Sequence, residues 1–64
     1  MRYFIVKVRS QVPHARLKGV FSKDGRLLAW RIVGDRPIRI LSSDFKDPDD
    51  AWIDASERLK NVKK

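Results

Sequence analysis

The sequence predicts an α+β domain in which a small antiparallel sheet of three to four strands is backed by one C-terminal helix. Short runs rich in β-branched and aromatic residues fill the first two-thirds of the chain and are separated by breaks that contain Gly or Pro. Apolar residues adopt helical spacing only after Pro48. A length of 64 residues predicts a single domain that spans residues 1–64. Its one hydrophobic core is most simply formed by a sheet packed on a helix.

Residues 1–10 are predicted to form an N-terminal strand, because "RYFIVKVR" is rich in residues that favour strands. The apolar run within it is too short for a signal segment or a membrane span, and Lys7 and Arg9 interrupt it. The chain has no Cys, which excludes disulfides and thiolate chemistry. We therefore expect a soluble, cytoplasmic protein that does not associate with membranes.

Residues 16–41 are predicted to form hairpin strands. "RLKGVF" and "RLLAWRIV" flank "SKDG", in which Asp24-Gly25 supplies residue types that tolerate positive φ. "GDRP" makes the next turn, and "IRIL" follows Pro37 as a last strand. Upstream, Pro13 breaks the pattern because it has no backbone N–H to donate.

Residues 47–62 are predicted to form the helix. Asp47 suits the N-cap and Pro48 the first helical position, while Asp49 and Asp50 lie where the helix dipole favours anions. An apolar stripe at helical spacing follows, and Trp52 is its largest member. The others are Ala51, Ala55, Leu59 and Val62.

Alternation along the last two strands predicts which side chains face away from this helix. In the last strand Ile38 and Ile40 are expected to face the helix, which turns Arg39 outward. In the strand before it, the larger apolar set is expected to be buried, which turns Arg31 outward beside Arg39. That apolar set is Leu28, Trp30 and Ile32. The sequence thus predicts a sheet with one covered face and one open face that carries arginines.

The charge of the chain is segregated by element. Residues 1–43 hold ten Lys/Arg and two Asp, which give +8, while residues 44–64 hold five Lys/Arg and six acidic residues, which give −1. The basic excess therefore lies entirely in the part predicted to be sheet. Such a distribution favours a surface that faces a polyanion, nucleic acid above all, over a charge that serves only solubility.

The segment "KGVFSKDGRLLAWRIVGDRPIRILSSDFKDPDDAWIDASERL", within residues 18–60, resembles a known family. It is similar to the three-stranded-sheet DNA-binding domain of plant Apetala-type, ethylene-response transcription factors, which is related to the arm-binding N-terminal domain of tyrosine recombinases. The resemblance is carried by a Gly-Val pair opening the first strand, a Gly-containing hairpin, an aromatic-rich strand ending in Ile32, Phe45, and an acidic helix start with two alanines.

The resemblance implies DNA binding without a cofactor, by a sheet whose open face lies in the major groove. The positions of the family's open-face residues fall here on Phe21, Lys23, Arg31, Arg39 and Leu41. Phe21 and Leu41 depart from the family, which has polar, basic or indole groups at these positions. Trp30 falls on a position that is small in the family, and the predicted N-terminal strand has no counterpart there.

The chemistry of such a surface assigns roles to its cations. Arg31 and Arg39 are the candidates for contacts to base edges, because a guanidinium group bonds bidentately to guanine. Candidates for phosphate contacts lie near strand ends and turns. They are Lys18, Lys23, Arg26 and Arg36.

Other functions are weighed against this one. His14, the only histidine, has no evident catalytic partner. Capping and helix-dipole chemistry explain three of the four aspartates that could suggest a cation site, which are Asp44, Asp47, Asp49 and Asp50, so we expect no enzyme and no metal site. The main alternative is a small protein-interaction module, such as an inhibitor of a host nucleic-acid-handling enzyme, with Tyr3, Phe21 and Leu41 as apolar anchors. RNA binding, with Phe21 stacked on an unpaired base, is a further alternative. A phage or mobile-element accessory protein, or a small regulator, fits the size.

Overall fold

The computed structural model describes residues 2–34 and 39–61 and has an α+β fold. Its elements in chain order are α1 (Arg2–Gln11), β1 (Arg16–Phe21), β2 (Leu27–Val33) and α2 (Pro48–Lys60). β1 and β2 form a two-stranded antiparallel sheet. The α+β class is confirmed, whereas the described residues do not form the three to four strands that the sequence predicts.

The predicted N-terminal strand is wrong, because these residues form α1. The alternation of a strand would bury Val6 together with Val8, yet Val6 is 62% exposed and Val8 is fully buried. Helical spacing instead places Phe4, Ile5 and Val8 on one side, which packs on the core. This packing outweighs the strand preference of the individual residues, since strand propensity depends strongly on context.

Arg9 ties the end of α1 to the rest of the molecule. Its Nε donates to the carbonyl oxygen of Ala15 at 3.0 Å, which fixes the loop that leads into β1. Its guanidinium carbon lies 5.6 Å from the centre of the Trp52 ring in α2, a cation–π contact. One side chain therefore joins α1, the loop and α2.

The hairpin between β1 and β2 forms as the sequence predicts. Gly25 has φ of 86°, and its N–H donates to the carbonyl oxygen of Ser22 at 3.1 Å. The Ser22 hydroxyl contacts the Asp24 carboxylate and accepts from the backbone N–H of Arg26 at 3.2 Å. Glycine is favoured at this position because positive φ is strained for other residues.

The predicted last strand is replaced by an irregular segment that pairs with the outer edge of β2. Ile40 bridges to Val33 and Phe45 bridges to Trp30. Five steps along this segment therefore lie opposite three steps along β2. The two extra residues interrupt the ladder of backbone hydrogen bonds between the segment and β2. The N–H of Ile32 donates to the Ser42 hydroxyl at 2.9 Å instead. Isolated bridges therefore take the place of a regular strand. Ile38 lies outside the described residues.

α2 begins as predicted. Asp47 is the N-cap, and its carboxylate accepts from the backbone N–H of Asp49 at 2.9 Å. Trp52 and its neighbouring alanines are buried, which confirms the predicted apolar stripe. Val62, the last member of that stripe, lies outside the described residues.

Replacement of Asp47 by alanine is expected to lower the free energy of unfolding by about 1 kcal/mol, because the backbone N–H of Asp49 loses its acceptor. Asp50→Asn, in the first turn of the helix, is the matched control and should cost clearly less. Urea unfolding followed by circular dichroism measures both changes. An equal loss in the two variants would mean that helix-dipole charge, and not the cap, accounts for the effect.

The core lies between the two helices and one face of the sheet. We name this face the helix face; it carries Leu17 and Gly19 of β1 and Trp30 and Ile32 of β2, which pair across the strands. Ile32 packs there against side chains of α1 and α2 in the buried cluster. Within the described ranges, no helix is long and apolar enough to cross a membrane.

Candidate functional site

The side of the sheet turned away from the helices carries positive charge. We name it the open face; its residues are Arg16, Lys18, Val20, Ala29 and Arg31. Lys18 and Arg31 pair directly across the two strands. Val33 continues this face but is buried, so the accessible part begins at Arg31. The prediction that Arg31 faces away from the helices is therefore confirmed.

Arg31 is held in place by a carboxylate. Its Nε donates to Oδ1 of Asp44 at 2.7 Å and its Nη2 donates to Oδ2 at 3.0 Å, a bidentate pair between two partly exposed side chains. The hydrogen bond from Arg31 lowers the pKa of the Asp44 carboxyl, and the same bond raises the pKa of Arg31. Pairing through both atoms fixes the plane of the guanidinium group as well as its position.

One end of the Arg31 guanidinium group is left open to solvent. Nη1 makes no hydrogen bond within the described part of the chain. Among the described residues that are not exposed, every buried polar side-chain atom has a hydrogen-bond partner. Nη1 has no such partner, so it is not buried and is accessible to solvent. The edge formed by Nη1 and Nη2 can therefore donate to an external acceptor while Asp44 holds the opposite edge.

The pairing makes a pH dependence testable. Because the pKa of Asp44 is lowered from its ordinary value of 3.8, the stabilisation by the pair is present above pH 3.8 and is lost as the pH falls through the lowered value. Carbon-detected NMR titration should therefore give Asp44 a midpoint below 3.8, and Arg31→Gln should raise it. The control Arg58→Gln, on α2, should leave it unchanged. A midpoint at or above 3.8 in the parent would contradict the pairing.

The turn adds cations beyond the end of the open face. Lys23 is exposed, and Arg26 is exposed with its Nε 3.7 Å from the Asp24 carboxylate. At this distance and exposure the Asp24 pair holds Arg26 weakly. The Ser22 hydroxyl, not Arg26, is the main cause of the lowered pKa of Asp24. Lys23 and Arg26 thus extend the positive surface along the hairpin.

In the segment after β2, side chains lie on the opposite faces of the sheet to those that the sequence predicts. Val33 pairs with Ile40, so Ile40 shares the side of Arg31 and is 59% exposed. Leu41, predicted on the open face, is 6% exposed and packs in the core. Arg39 is exposed but falls by alternation on the side opposite Ile40, so it does not lie beside Arg31. The expectation fails because pairing with β2, and not local apolarity, sets the register.

The hairpin end also differs from the prediction. Phe21 was expected on the open face, but its ring lies on the helix-face side, within 2.9 Å of where a Cβ of Gly19 would stand. Leu28, expected to be buried, is 53% exposed at the register shift next to Phe21. The apolar side chains at the hairpin end lie outside the buried cluster that the helices form with the sheet. Trp30, also expected to be buried, is half-buried.

The remaining candidates lie in loops, at the start of α2 or outside the described residues. Arg36 lies outside the described residues, and His14 is exposed in the loop before β1. Among residues 2–34 and 39–61, no group of three His, Asp or Glu is placed to hold a metal ion. Asp44 and Asp47 have structural partners instead, since one holds Arg31 and the other caps α2.

Three residues of the site are missing from the sequence-based prediction. Arg16 shares the open face with Lys18, and their spacing of two in a predicted strand was a usable signal. Asp44 lies 13 positions from Arg31 in the chain, and no local pattern joins them. Lys46 follows the bridge at Phe45 and lines a groove beside β2. The last two depend on tertiary pairing, which the sequence does not show.

Comparisons with known proteins add no identification. No family model, no curated protein and no solved structure matches this chain. The resemblance to the Apetala-type domain therefore rests on residues 18–60 of the sequence alone.

Proposed function

We propose that this chain binds duplex DNA through the open face. The observation that carries the proposal is the position of Arg31, which lies directly across from Lys18 and is fixed by Asp44 with one donor edge left accessible. A fixed arginine beside a lysine offers one group suited to a base edge and one suited to a phosphate.

The geometry of Arg31 suits guanine. Asp44 occupies the edge of Nε and one Nη2 hydrogen, so the opposite edge keeps two parallel N–H donors. Guanine presents O6 and N7 as paired acceptors in the major groove, and an arginine that bonds both is the commonest specific contact to DNA. Because Asp44 already restricts the side chain, less conformational entropy is lost on binding.

The shape of the hairpin fits the same groove. The major groove is about 12 Å wide and admits a two-stranded ribbon. Lys18 on the open face and Lys23 at the turn lie along such a ribbon, on the way to the phosphates at its margins.

The start of α2 disfavours DNA. Asp49 and Asp50 are exposed in the first turn of α2, which packs on the helix face. A polyanion that approaches the start of α2 meets carboxylates, whereas one that approaches the open face meets cations. α1 also exposes cations, Arg2 and Arg9, so the charge distribution disfavours the start of α2 and not the whole helix side.

Binding is expected to depend strongly on salt. With about four to six phosphates neutralised, the logarithm of the association constant should fall against the logarithm of salt concentration with a slope of about −4 to −5. Fluorescence anisotropy with a labelled duplex at several salt concentrations measures this slope.

Matched lysine variants locate the contacts. Lys18→Gln should reduce the magnitude of the slope by about 1, because one phosphate contact is lost. Lys60→Gln, at the end of α2, should leave the slope unchanged. A flat salt dependence, or no binding at low salt, would contradict the proposal.

A further inference from the structure

A groove lies beside the open face at the hairpin end, and DNA binding as proposed above does not use it. Its volume is about 220 Å³. It lies along β2 beyond the bridge between Trp30 and Phe45, where the irregular segment leaves the edge of the strand. The lining residues are Leu27, Leu28, Ala29, Trp30 and Lys46.

The apolar side chains around the groove are exposed without serving the core. Phe21 is 60% exposed, and Leu27 and Leu28 are about half exposed. Phe21 pairs across the strands with Leu27, and its ring is seated over Gly19, where a side chain would collide with it. These residues form a pre-positioned apolar surface, and an exposed surface of this kind marks an interaction site.

The size and chemistry of the groove indicate its occupant. Sites for drug-sized ligands hold about 300–1,000 Å³, so a groove of about 220 Å³ suits one planar ring group. Trp30 offers an aromatic surface, and Lys46 is the one charged residue among the described residues that line the groove. A ring that stacks and a phosphate that pairs with Lys46 are together the features of a nucleotide.

We propose that the groove accepts an unpaired base of the DNA held on the open face. This inference rests on the proposed DNA binding. Ala29 belongs both to the groove lining and to the open face, two residues from Arg31 in β2, so an extrahelical base can reach the groove from a docked duplex. The chain should therefore bind duplexes that contain an unpaired base more tightly, because moving an unpaired base out of the base stack costs the least free energy.

Charge argues against a second copy of the chain as the occupant. The groove contains Lys46, and Lys23 and Arg26 flank the hairpin end, so two hairpin ends brought together would repel each other. Lys18 lies on β1, which pairs with β2 alone among the described residues, and a charged residue on such an edge opposes strand-to-strand pairing.

The test compares a fully paired duplex with the same duplex carrying one extrahelical adenine. The parent is expected to bind the second about tenfold more tightly, the equivalent of one stacked base. Leu28→Ser should remove this preference and leave affinity for the paired duplex unchanged, and Lys46→Gln should weaken binding to the duplex with the extrahelical base more than binding to the paired one. Lys23→Gln, the matched control, should weaken binding to both duplexes by the same factor. With 2-aminopurine as the extrahelical base, binding should quench its emission in the parent but not in Leu28→Ser.

The possible failures are distinguishable. Equal affinity for the two duplexes would overturn this inference and leave duplex binding standing. No binding to either duplex at low salt would overturn both. If sedimentation equilibrium shows a dimer that Leu28→Ser dissociates, while the preference for the extrahelical base persists in that variant, a second copy occupies the groove and the inference is wrong.

Discussion

Trp52→Ala is expected to lower the free energy of unfolding by about 3–5 kcal/mol, because it opens a large cavity in a small core. The Trp52 side chain is 5% exposed and packs in the buried cluster shared by both helices and the sheet. The substitution also removes the ring on which the guanidinium group of Arg9 rests. A loss of this size is a large part of the roughly 5–15 kcal/mol that stabilises a folded domain. Urea unfolding followed by circular dichroism measures it.

Tyr3→Ala is the control for this loss. Tyr3 is also a large aromatic residue of a helix, but it is exposed, and its ring contacts Phe4 and Lys7 of the same helix. Its replacement should change the free energy of unfolding by less than about 1 kcal/mol. If the two variants unfold alike, Trp52 does not lie in the core as described.

Arg31→Ala is expected to weaken binding to a preferred duplex by about 1–3 kcal/mol, the worth of one bidentate contact to a base. Asp44→Asn should cause part of the same loss, because Arg31 keeps its donors but loses the group that fixes them. Neither change should lower the melting temperature much, since the pair is partly exposed and such pairs contribute little to stability. Binding and thermal unfolding are measured on the same samples.

Arg58→Ala provides a closely matched control. Arg58 also forms an ion pair, with its Nε 3.1 Å from Oδ2 of Asp54, and its Nη2 donates to the hydroxyl of Ser43, but it lies on α2. Its loss should leave DNA binding unchanged. If Arg58→Ala and Arg31→Ala weaken binding equally, loss of positive charge alone accounts for the effect and the open face has no special role.

Local signals in the sequence were sufficient for the hairpin and for α2. The turn at Gly25 and the cap at Asp47 each depend on a few consecutive residues, and both form as predicted. The first ten residues were predicted wrongly because their composition favours strands, whereas contacts between α1 and α2 decide their conformation. The helical spacing of Phe4, Ile5 and Val8 was present in the sequence, but strand-favouring composition hid it.

The candidate site was predictable in part for the same reason. The alternation of side chains within β2 correctly predicted that Arg31 faces away from the helices. It failed for the following segment, where two extra residues between Ile40 and Phe45 change the register and send Leu41 into the core. The pairing of Asp44 with Arg31 follows from that register and was equally hidden. Strand pairing, not residue type, thus determines which side chains reach the open face.

The most direct test of DNA binding by the open face is NMR mapping of the contact surface. The ¹⁵N-labelled chain is titrated with a short duplex, and backbone amide and arginine side-chain signals are followed. If the open face binds DNA, the largest chemical-shift changes fall on the stretches around Lys18 and Arg31, including the Nε–H of Arg31, while the signals of α2 stay almost unchanged. Shifts confined to the exposed side of α1 or to α2, with none on the sheet, would contradict it.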